Sequence, residues 1–163
     1  MDDYIYFELN NRKLKINRND SEDIWKWYCE SAGRTIKNPY WRKIAVNKKN
    51  RRYARFKCIK EYLLHRVVYY AHNQDWDMDF KDKLEIDHID RNSFNNHISN
   101  LRLGTHSQNQ QNKNVKGYYW NKKEQKYKAY ITHKSKLIHL GYFDNKEEAR
   151  QAHLDAKKIY HEW

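Results

Sequence analysis

The segment IDHIDRNSFNNHISNLRLGTHSQNQ, residues 86–110, combines a short apolar pattern with a concentration of Asp, His and Asn. Asp87 and His88 lie near its start, and Asn100 and Asn109 follow at intervals that no regular helix or strand requires. A surface loop can be rich in Asn because Asn forms turns readily. A metal-dependent active site also needs short polar side chains of this kind. The rest of the sequence has to distinguish these two interpretations.

The segment and its flanks predict a strand, a loop, a second strand and a helix. LEIDHID (84–90) and ISNLRLG (98–104) have strand-like composition, and the Asn-rich RNSFNNH joins them. Thr105 is a suitable N-cap for the polar helix HSQNQQNK (106–113). Upstream, an apolar stripe at helical spacing predicts a further helix, with the members Leu64, Val67, Val68 and Ala71.

The N-terminal residues predict several strands and one short helix. Alternating apolar and polar residues predict strands at YIYFEL, KLKI, WRKIAV and RRYARFKC, the last two as a hairpin. Ser21, followed by acidic residues and closed by Gly33, predicts a helix over EDIWKWYCESAG (22–33). We expect the N-terminal core to contain Trp25, Trp27 and Trp41.

From Val115 the sequence alternates aromatic or aliphatic residues with lysine across three predicted strands. Asp144 and Glu147 form a capping box that opens a helix. One apolar face of that helix is suited to pack on a sheet, with the members Ala149, Ala152, Ala156, Ile159 and Tyr160. The predicted unit is three antiparallel strands and a packing helix.

Composition points to a nucleic-acid partner. The formal net charge is +12, the sequence pI is about 9.5 and aromatic residues make up 15% of the chain. Lys and Arg neutralise phosphates, so a basic, aromatic chain is typical of a nucleic-acid binder, although a basic protein without a specific partner is the alternative. Cys29 and Cys58 form no zinc-knuckle or disulfide pattern, and no apolar stretch is long enough for a membrane span. We therefore expect a soluble intracellular protein without structural zinc.

Hydrolysis of a phosphodiester needs an activated water and a cation to neutralise developing charge. Asp87 supplies a carboxylate ligand, and His88 beside it supplies a base. The amide oxygen of Asn100 is placed to accept a ring N–H of His88 and to fix its tautomer. The amide oxygen of Asn109, on the helix that follows, is a candidate second metal ligand.

Residues 62–113 resemble an HNH endonuclease of the group found in phages, viruses and introns. The motif pieces are His65-Arg66, Asp87 through Asn96, Asn100-Leu101-Arg102 and Thr105 through Asn109. The resemblance implies a ββα-metal unit with His88 as general base, Asn100 orienting it, and Asp87 and Asn109 holding one Mg²⁺ or Mn²⁺. It also implies a host-cell cytoplasm or nucleus as the location, and a phage, virus or mobile element as the source.

Four further residues of this segment have open roles. Arg66 and Arg102 either contact phosphates or only solvate a helix and a strand. His65 either packs beneath the site or touches phosphate, and His106 is a possible phosphate contact or an exposed polar residue.

Residues 116–161 are similar to the AP2-type DNA-binding domain, through KGYYW, KYKAYI, HLGYFD and EEARQAHLDAKKIY. That resemblance implies a sheet that enters the major groove of double-stranded DNA. The matching DNA-binding candidates are Trp120, Lys122, Lys128, Tyr130 and Lys136. Trp120 is equally compatible with a place in the core of the sheet.

The predicted fold class is α+β: N-terminal strands and a helix, a ββα-metal unit and a three-stranded antiparallel sheet packed on one helix. The predicted segments are 1–57, 58–114 and 115–163. The predicted function is a metal-dependent DNA endonuclease, homing-type or free-standing, acting as a monomer or homodimer. A non-catalytic, sequence-biased DNA-binding regulator is the alternative.

Overall fold

The computed structural model describes residues 2–31, 34–49, 52–78 and 84–161 of the chain. It is a mixed α+β structure that divides into two compact units, residues 1–104 and 105–163. The first unit contains β1 (Tyr4–Glu8), β2 (Lys13–Asn17), β3 (Ile24–Ser31), β4 (Arg34–Lys43), β5 (Val46–Asn47), β6 (Arg55–Lys57), β7 (Glu61–Leu63), α1 (Leu64–His72), β8 (Glu85–His88) and β9 (Leu101–Gly104). The second contains α2 (His106–Asn112), β10 (Tyr118–Asn121), β11 (Lys126–His133), β12 (Lys136–Phe143) and α3 (Lys146–Tyr160).

The first unit is built on a four-stranded antiparallel sheet in the order β1-β2-β3-β4. One face of this sheet buries apolar side chains of alternating positions, among them Ile5, Phe7, Leu14, Ile16 and Ile24. Helix α1 buries the predicted stripe in the same core, which confirms that prediction. The unit also contains the small sheet β5-β6-β7 and the hairpin β8-β9. Helix α1 packs against strand β8 of that hairpin.

The predicted helix over residues 22–33 is wrong, because residues 24–31 form strand β3. Ile24 pairs with Ile16 of β2, and Trp27 pairs with Trp41 of β4. Ile, Trp and Tyr favour a half-buried pleated surface, and two neighbouring strands satisfy the backbone on both sides. The Ser21 cap signal is therefore outweighed by sheet pairing. Gly33, which was expected to close the helix, lies outside the described residues.

The tryptophans of this sheet are not in the core. Trp25, Trp27 and Trp41 are only half-buried, and they lie on the face opposite the buried aliphatic residues. The expectation that they form the N-terminal core is wrong for this reason. A different tryptophan, Trp76, is buried in the core from a segment that reads as a polar loop.

The second unit has the predicted arrangement of three antiparallel strands, β10-β11-β12, with α3 packed on the sheet. Ala149 and Ala156 of α3 and Ile131 of β11 are buried, whereas Ile159 is 77% exposed, so the predicted apolar face is narrower than expected. The N-cap of α3 is Asn145, which accepts a hydrogen bond from the Glu148 N–H, rather than Asp144. The AP2 likeness and the three predicted segment boundaries stay predictions.

Helix α2 begins as predicted. The Thr105 hydroxyl accepts a hydrogen bond from the Gln108 N–H, and the Gln108 side chain accepts one from the Thr105 N–H, which completes a capping box. Within the part of the chain that the structure describes, no helix is long and apolar enough to cross a membrane.

Candidate active site

The hairpin of β8 and β9 places the candidate residues Asp87 and His88 of β8 opposite β9. Asp87 pairs with Arg102, and His88 pairs with Leu101, in antiparallel register. Asp87 and His88 are each 6% exposed, which is unusual for titratable side chains. Buried polar groups of this kind need partners, and each of the two has one within the hairpin or its loop.

Arg102 holds the Asp87 carboxylate. Its Nε and Nη2 donate to the same oxygen, Oδ2, over 3.1 and 3.0 Å. The Asp87 side chain is 7% exposed and that of Arg102 is 23% exposed, so the pair is largely removed from water. A buried carboxylate is costly without such a partner, and Arg102 therefore offsets the cost of burying Asp87 at the strand end.

Asn96 fixes the imidazole of His88. The Asn96 Nδ2 donates to the Phe94 carbonyl over 3.1 Å, which turns Oδ1 toward His88 Nε2 at 3.2 Å. Since an amide oxygen only accepts, this contact places a ring proton on Nε2. Asn96 is 1% exposed, so this contact is shielded from water. Asn96 belongs to the Asn-rich loop that the sequence predicts between the two strands, and the structure adds a contact with His88.

Two aromatic rings surround His88. The His65 ring lies edge-on to it at 5.2 Å between centroids, and Tyr53 lies 5.1 Å from His65 and 6.2 Å from His88. Burial, with smaller contributions from the neighbouring His88 and Arg66, lowers the pKa of His65 from 6.5 to about 3. His65 is therefore neutral at physiological pH and packs beneath His88, which is the structural one of its two predicted roles.

Asn100 braces the loop that follows His88. Its Oδ1 accepts from the Asp90 N–H over 3.0 Å, and its Nδ2 donates to Asp90 Oδ1 and to the Asn95 carbonyl. Asn95 donates in turn to Asp90 Oδ2 over 2.7 Å. These bonds fix the chain on both sides of Asn96 and so position His88 indirectly. A direct bond between Asn100 and His88 stays a prediction.

Asn109 lies on α2, in the second unit. Its approach to Asp87 as a second metal ligand therefore stays a prediction. His106, one turn earlier on α2, is exposed and contacts the Gln110 side chain through Nε2 at 3.1 Å. Arg66 of α1 places its guanidinium 5.8 Å from the ring centroid of the buried Trp76.

Residues 62–111 match the model of a family described as HNH endonuclease. This HNH segment spans α1, β8, the Asn-rich loop, β9 and most of α2, and it includes every residue of the site except Tyr53. The match supports a nuclease that acts on DNA, at the level of the family. No curated protein and no solved structure matches the chain significantly.

The donors of the HNH segment suit a hard cation. Among the described residues, no group of three or more His, Cys, Asp or Glu side chains is placed to bind a metal. Carboxylate and amide oxygens, such as those of Asp87 and Asn109, are ligands of the kind that divalent hard cations take while keeping several waters. The donor chemistry of the segment is therefore that of an oxygen-ligated divalent ion, and the pairing of these two residues at one ion stays a prediction.

The sheet of the second unit has an open face on the side away from α3. Register places Tyr119, Lys128 and Tyr142 opposite one another on this face, and the Lys128 Nζ lies 5.8 Å from the Tyr142 ring centroid. Tyr130 joins them, with its ring 5.9 Å from that of Tyr119. The predicted residues Lys128 and Tyr130 therefore share one exposed surface with two tyrosines that motif matching missed.

The other predicted residues of this sheet lie elsewhere. Trp120 pairs with Tyr127 and shares the face of the buried Ala129, although it is 43% exposed. Lys136 pairs with His133 at the far end of the sheet, and Lys122 lies in the turn after β10. Side chains of a strand alternate between its two faces, so counting from the buried Ala129 would have placed Lys128 and Tyr130 on the open face from the sequence alone.

Proposed function

We propose that the protein is a metal-dependent endonuclease that hydrolyses phosphodiester bonds in duplex DNA, with His88 as general base. The observation that carries the proposal is the fixed tautomer of His88 beside Asp87, within the HNH segment. A base needs a lone pair aimed by a second hydrogen bond, and Asn96 supplies that bond. A structural histidine would not need a neighbouring buried carboxylate.

In the proposed reaction, each residue of the site has a defined role. His88 Nδ1 accepts a proton from the attacking water, while Nε2–H stays on Asn96 and keeps the ring in place. Asn100 and Asp90 hold the loop, so Asn96 does not move as charge develops. Asp87 and Asn109 would hold one Mg²⁺ or Mn²⁺, which supplies charge stabilisation at the phosphate when bound.

DNA affinity is proposed to come partly from the second unit. Its open face presents Lys128 beside Tyr130, Tyr119 and Tyr142, which suits phosphate and base contacts. An AP2-like mode of binding to duplex DNA, and a homing-type or free-standing role, belong to this proposal. Arg66 is proposed to contact phosphate, whereas Arg102 acts chiefly on Asp87.

A DNA-binding regulator without catalysis is the second candidate. It is favoured by the ion pair, because Arg102 donates twice to Asp87 Oδ2 and its positive charge opposes a cation at the same carboxylate. In the endonuclease, by contrast, Asp87 would hold the cation while it keeps its ion pair with Arg102.

Supercoiled plasmid separates the two candidates. The protein is incubated with plasmid in Mg²⁺ or in EDTA, beside His88→Ala and the control His72→Ala. His72 donates to the Val68 carbonyl at the end of α1 and takes no part in the site. The endonuclease requires Mg²⁺-dependent cleavage that falls by about 10²–10⁴-fold in His88→Ala and survives in His72→Ala. Equal cleavage by His88→Ala removes the base assignment, and plasmid that stays supercoiled under every condition favours the regulator.

A further inference from the structure

The four-stranded sheet of the first unit has an open face that the nuclease site does not use. Cross-strand register places Tyr6 opposite Lys15, Lys15 opposite Trp25, and Trp27 opposite Trp41. These five residues alternate with the buried aliphatic positions, so they all face away from the core. We call this surface the aromatic face.

Lysine lies at the centre of the aromatic face. The Lys15 Nζ is 4.3 Å from the ring centroid of Tyr4, 5.1 Å from that of Trp41 and 5.6 Å from that of Trp25. The Tyr6 ring meets Trp41 edge-on at 5.8 Å and is 49% exposed. A cation and accessible ring surfaces are thus presented together.

One carboxylate holds Trp25 of the aromatic face and the neighbouring Tyr4 in place. Asp23 accepts from the Tyr4 hydroxyl over 2.6 Å, from Trp25 Nε1 over 3.0 Å and from Lys43 Nζ over 2.7 Å. Its side chain is 13% exposed, and these bonds lower its pKa although burial acts to raise it. Side chains that are already ordered lose little entropy when a ligand packs on them.

A hollow borders the aromatic face at its β1 edge. Its volume is about 400 Å³, and Tyr6, Lys13, Trp41, Tyr70 and Gln74 contribute to its lining. This is within the size range of small-ligand sites, so a flat ring system such as a nucleobase can enter it beside Tyr6.

Charge identifies the partner as an anion. Residues 1–57 contain fifteen Lys and Arg against seven Asp and Glu, whereas residues 58–114 contain seven against eight. The HNH segment lies wholly in the second range and has no excess of positive charge of its own. A polyanion with flat rings matches both the charge and the chemistry of the aromatic face.

We propose that the aromatic face binds single-stranded DNA, with unpaired bases stacking on Tyr6 and Trp41 and with lysines contacting the phosphates. In a duplex the base faces are covered by their neighbours, so exposed rings have nothing to stack on. In a single strand each base offers a face, which makes such binding tolerant of sequence. The inference does not depend on DNA cleavage.

Fluorescence anisotropy in EDTA tests this proposal without catalysis. The probes are a labelled oligothymidine of about 20 nucleotides and a labelled hairpin duplex of similar length. Tyr6→Ala is compared with Tyr40→Ala, since Tyr40 is 48% exposed but lies on the other face and stacks on Tyr28 at 5.7 Å. Tyr6→Phe keeps the ring and removes only the hydroxyl.

The expected result is a rise of about ten-fold or more in the oligothymidine Kd for Tyr6→Ala, from the typical contribution of one stacked base. Tyr40→Ala and Tyr6→Phe keep the wild-type Kd, and the duplex Kd of Tyr6→Ala changes by less than about two-fold. Unchanged thermal melting of Tyr6→Ala, a change at an exposed position, shows that the fold is intact.

Three outcomes overturn the proposal: an unchanged oligothymidine Kd in a folded Tyr6→Ala and in Trp41→Ala, an equal loss for duplex, or tighter binding of oligouridine RNA than of oligothymidine. His88→Ala has to bind oligothymidine like the wild type. Failure of the nuclease assignment therefore appears in the plasmid assay alone, and failure of this proposal appears in anisotropy alone.

Discussion

Replacing Asn96 by Ala tests the assignment of the His88 tautomer most directly. Asn96 is 1% exposed and makes two hydrogen bonds, to His88 Nε2 at 3.2 Å and to the Phe94 carbonyl at 3.1 Å. The variant leaves the Nε2–H of His88 without this acceptor, and an unsatisfied buried polar group costs about 1–3 kcal/mol. If that loss falls on the orientation of the base, the rate falls about 10- to 100-fold, at about 1.4 kcal/mol for each factor of ten.

The assay is single-turnover cleavage of a defined duplex in Mg²⁺, with the melting temperature measured in parallel. The same lost bonds should lower the melting temperature of the first unit by roughly 5–20 °C, so rates are compared well below both transitions. The matched control is Asn92→Ala in the same loop, because exposed Asn92 accepts only local N–H groups, such as that of Phe94. Asn92→Ala should keep a rate within about three-fold of wild type.

The split between the kinetic constants distinguishes orientation from general damage. Asn96 does not lie on either open sheet face, so Asn96→Ala should lower kcat and leave KM for DNA nearly unchanged. A folded Asn96→Ala that cleaves at the wild-type rate would refute the tautomer assignment and with it Nδ1 as the base atom.

Three further changes have defined outcomes. Arg102→Met removes two donors from the buried Asp87 carboxylate, so the free energy of unfolding in EDTA should fall by about 3 kcal/mol. Saturating Mg²⁺ should stabilise this variant more than it stabilises the wild type. Thermal melts with and without Mg²⁺ measure both effects. Gly117→Ala would put a Cβ 2.0 Å from His153 Cγ at φ +74°, so melting of the second unit should show a loss of at least about 2 kcal/mol, and an unchanged transition would contradict the packing. His65, with its pKa lowered from 6.5 to about 3, contributes stability that is complete above pH 6.5 and is lost as the pH falls toward 3; urea unfolding should show about 2 kcal/mol less stability at pH 5 than at pH 7, and His65→Leu should remove that part of the pH dependence.

Elements whose local signals agree were predictable from the sequence. Helix α1 has both the apolar stripe and a following polar segment, and α2 has a Thr105 cap reinforced by Gln108. In the second unit, period-two alternation ends where a helix cap begins, so strands and helix separate cleanly. Each of these signals involves residues within a few positions of one another, and tertiary packing does not have to decide between alternatives.

Strand β3 shows why other elements could not be predicted by caps alone. Ser21 and the acidic residues after it resemble a helix start, but Ile24 is fully buried between neighbouring strands. Strand β3 pairs with β2 and β4, and a capping pattern within a few residues of Ser21 contains no information about those strands. The β-forming composition of residues 24–29 was the signal that should have prevailed.

The candidate site was predictable as a set of residues but not as a set of contacts. Spacing identified Asp87, His88 and Asn100 as neighbours around one loop, yet it did not show which asparagine faces the ring. That choice depends on the loop conformation, where Arg91 adopts a positive φ of 66° and Asn96 turns inward. Tyr53 is distant in sequence from His88, so its ring contact needs the fold.

The excess positive charge of this chain lies in the residues that flank the candidate active site rather than in the site itself. DNA binding and DNA cleavage should therefore depend on different residues. Residues 58–114 are nearly balanced in charge, while residues 115–163 contain eleven Lys and Arg against six Asp and Glu, and residues 1–57 are more basic still. Counterion release scales with phosphates neutralised, so the salt dependence of binding should follow the two flanking sheets. Changes at His88 or Asn96 should therefore alter the cleavage rate without changing the salt slope. A lysine removed from either open sheet face should do the opposite, because it reduces the number of phosphates contacted and leaves the base in place.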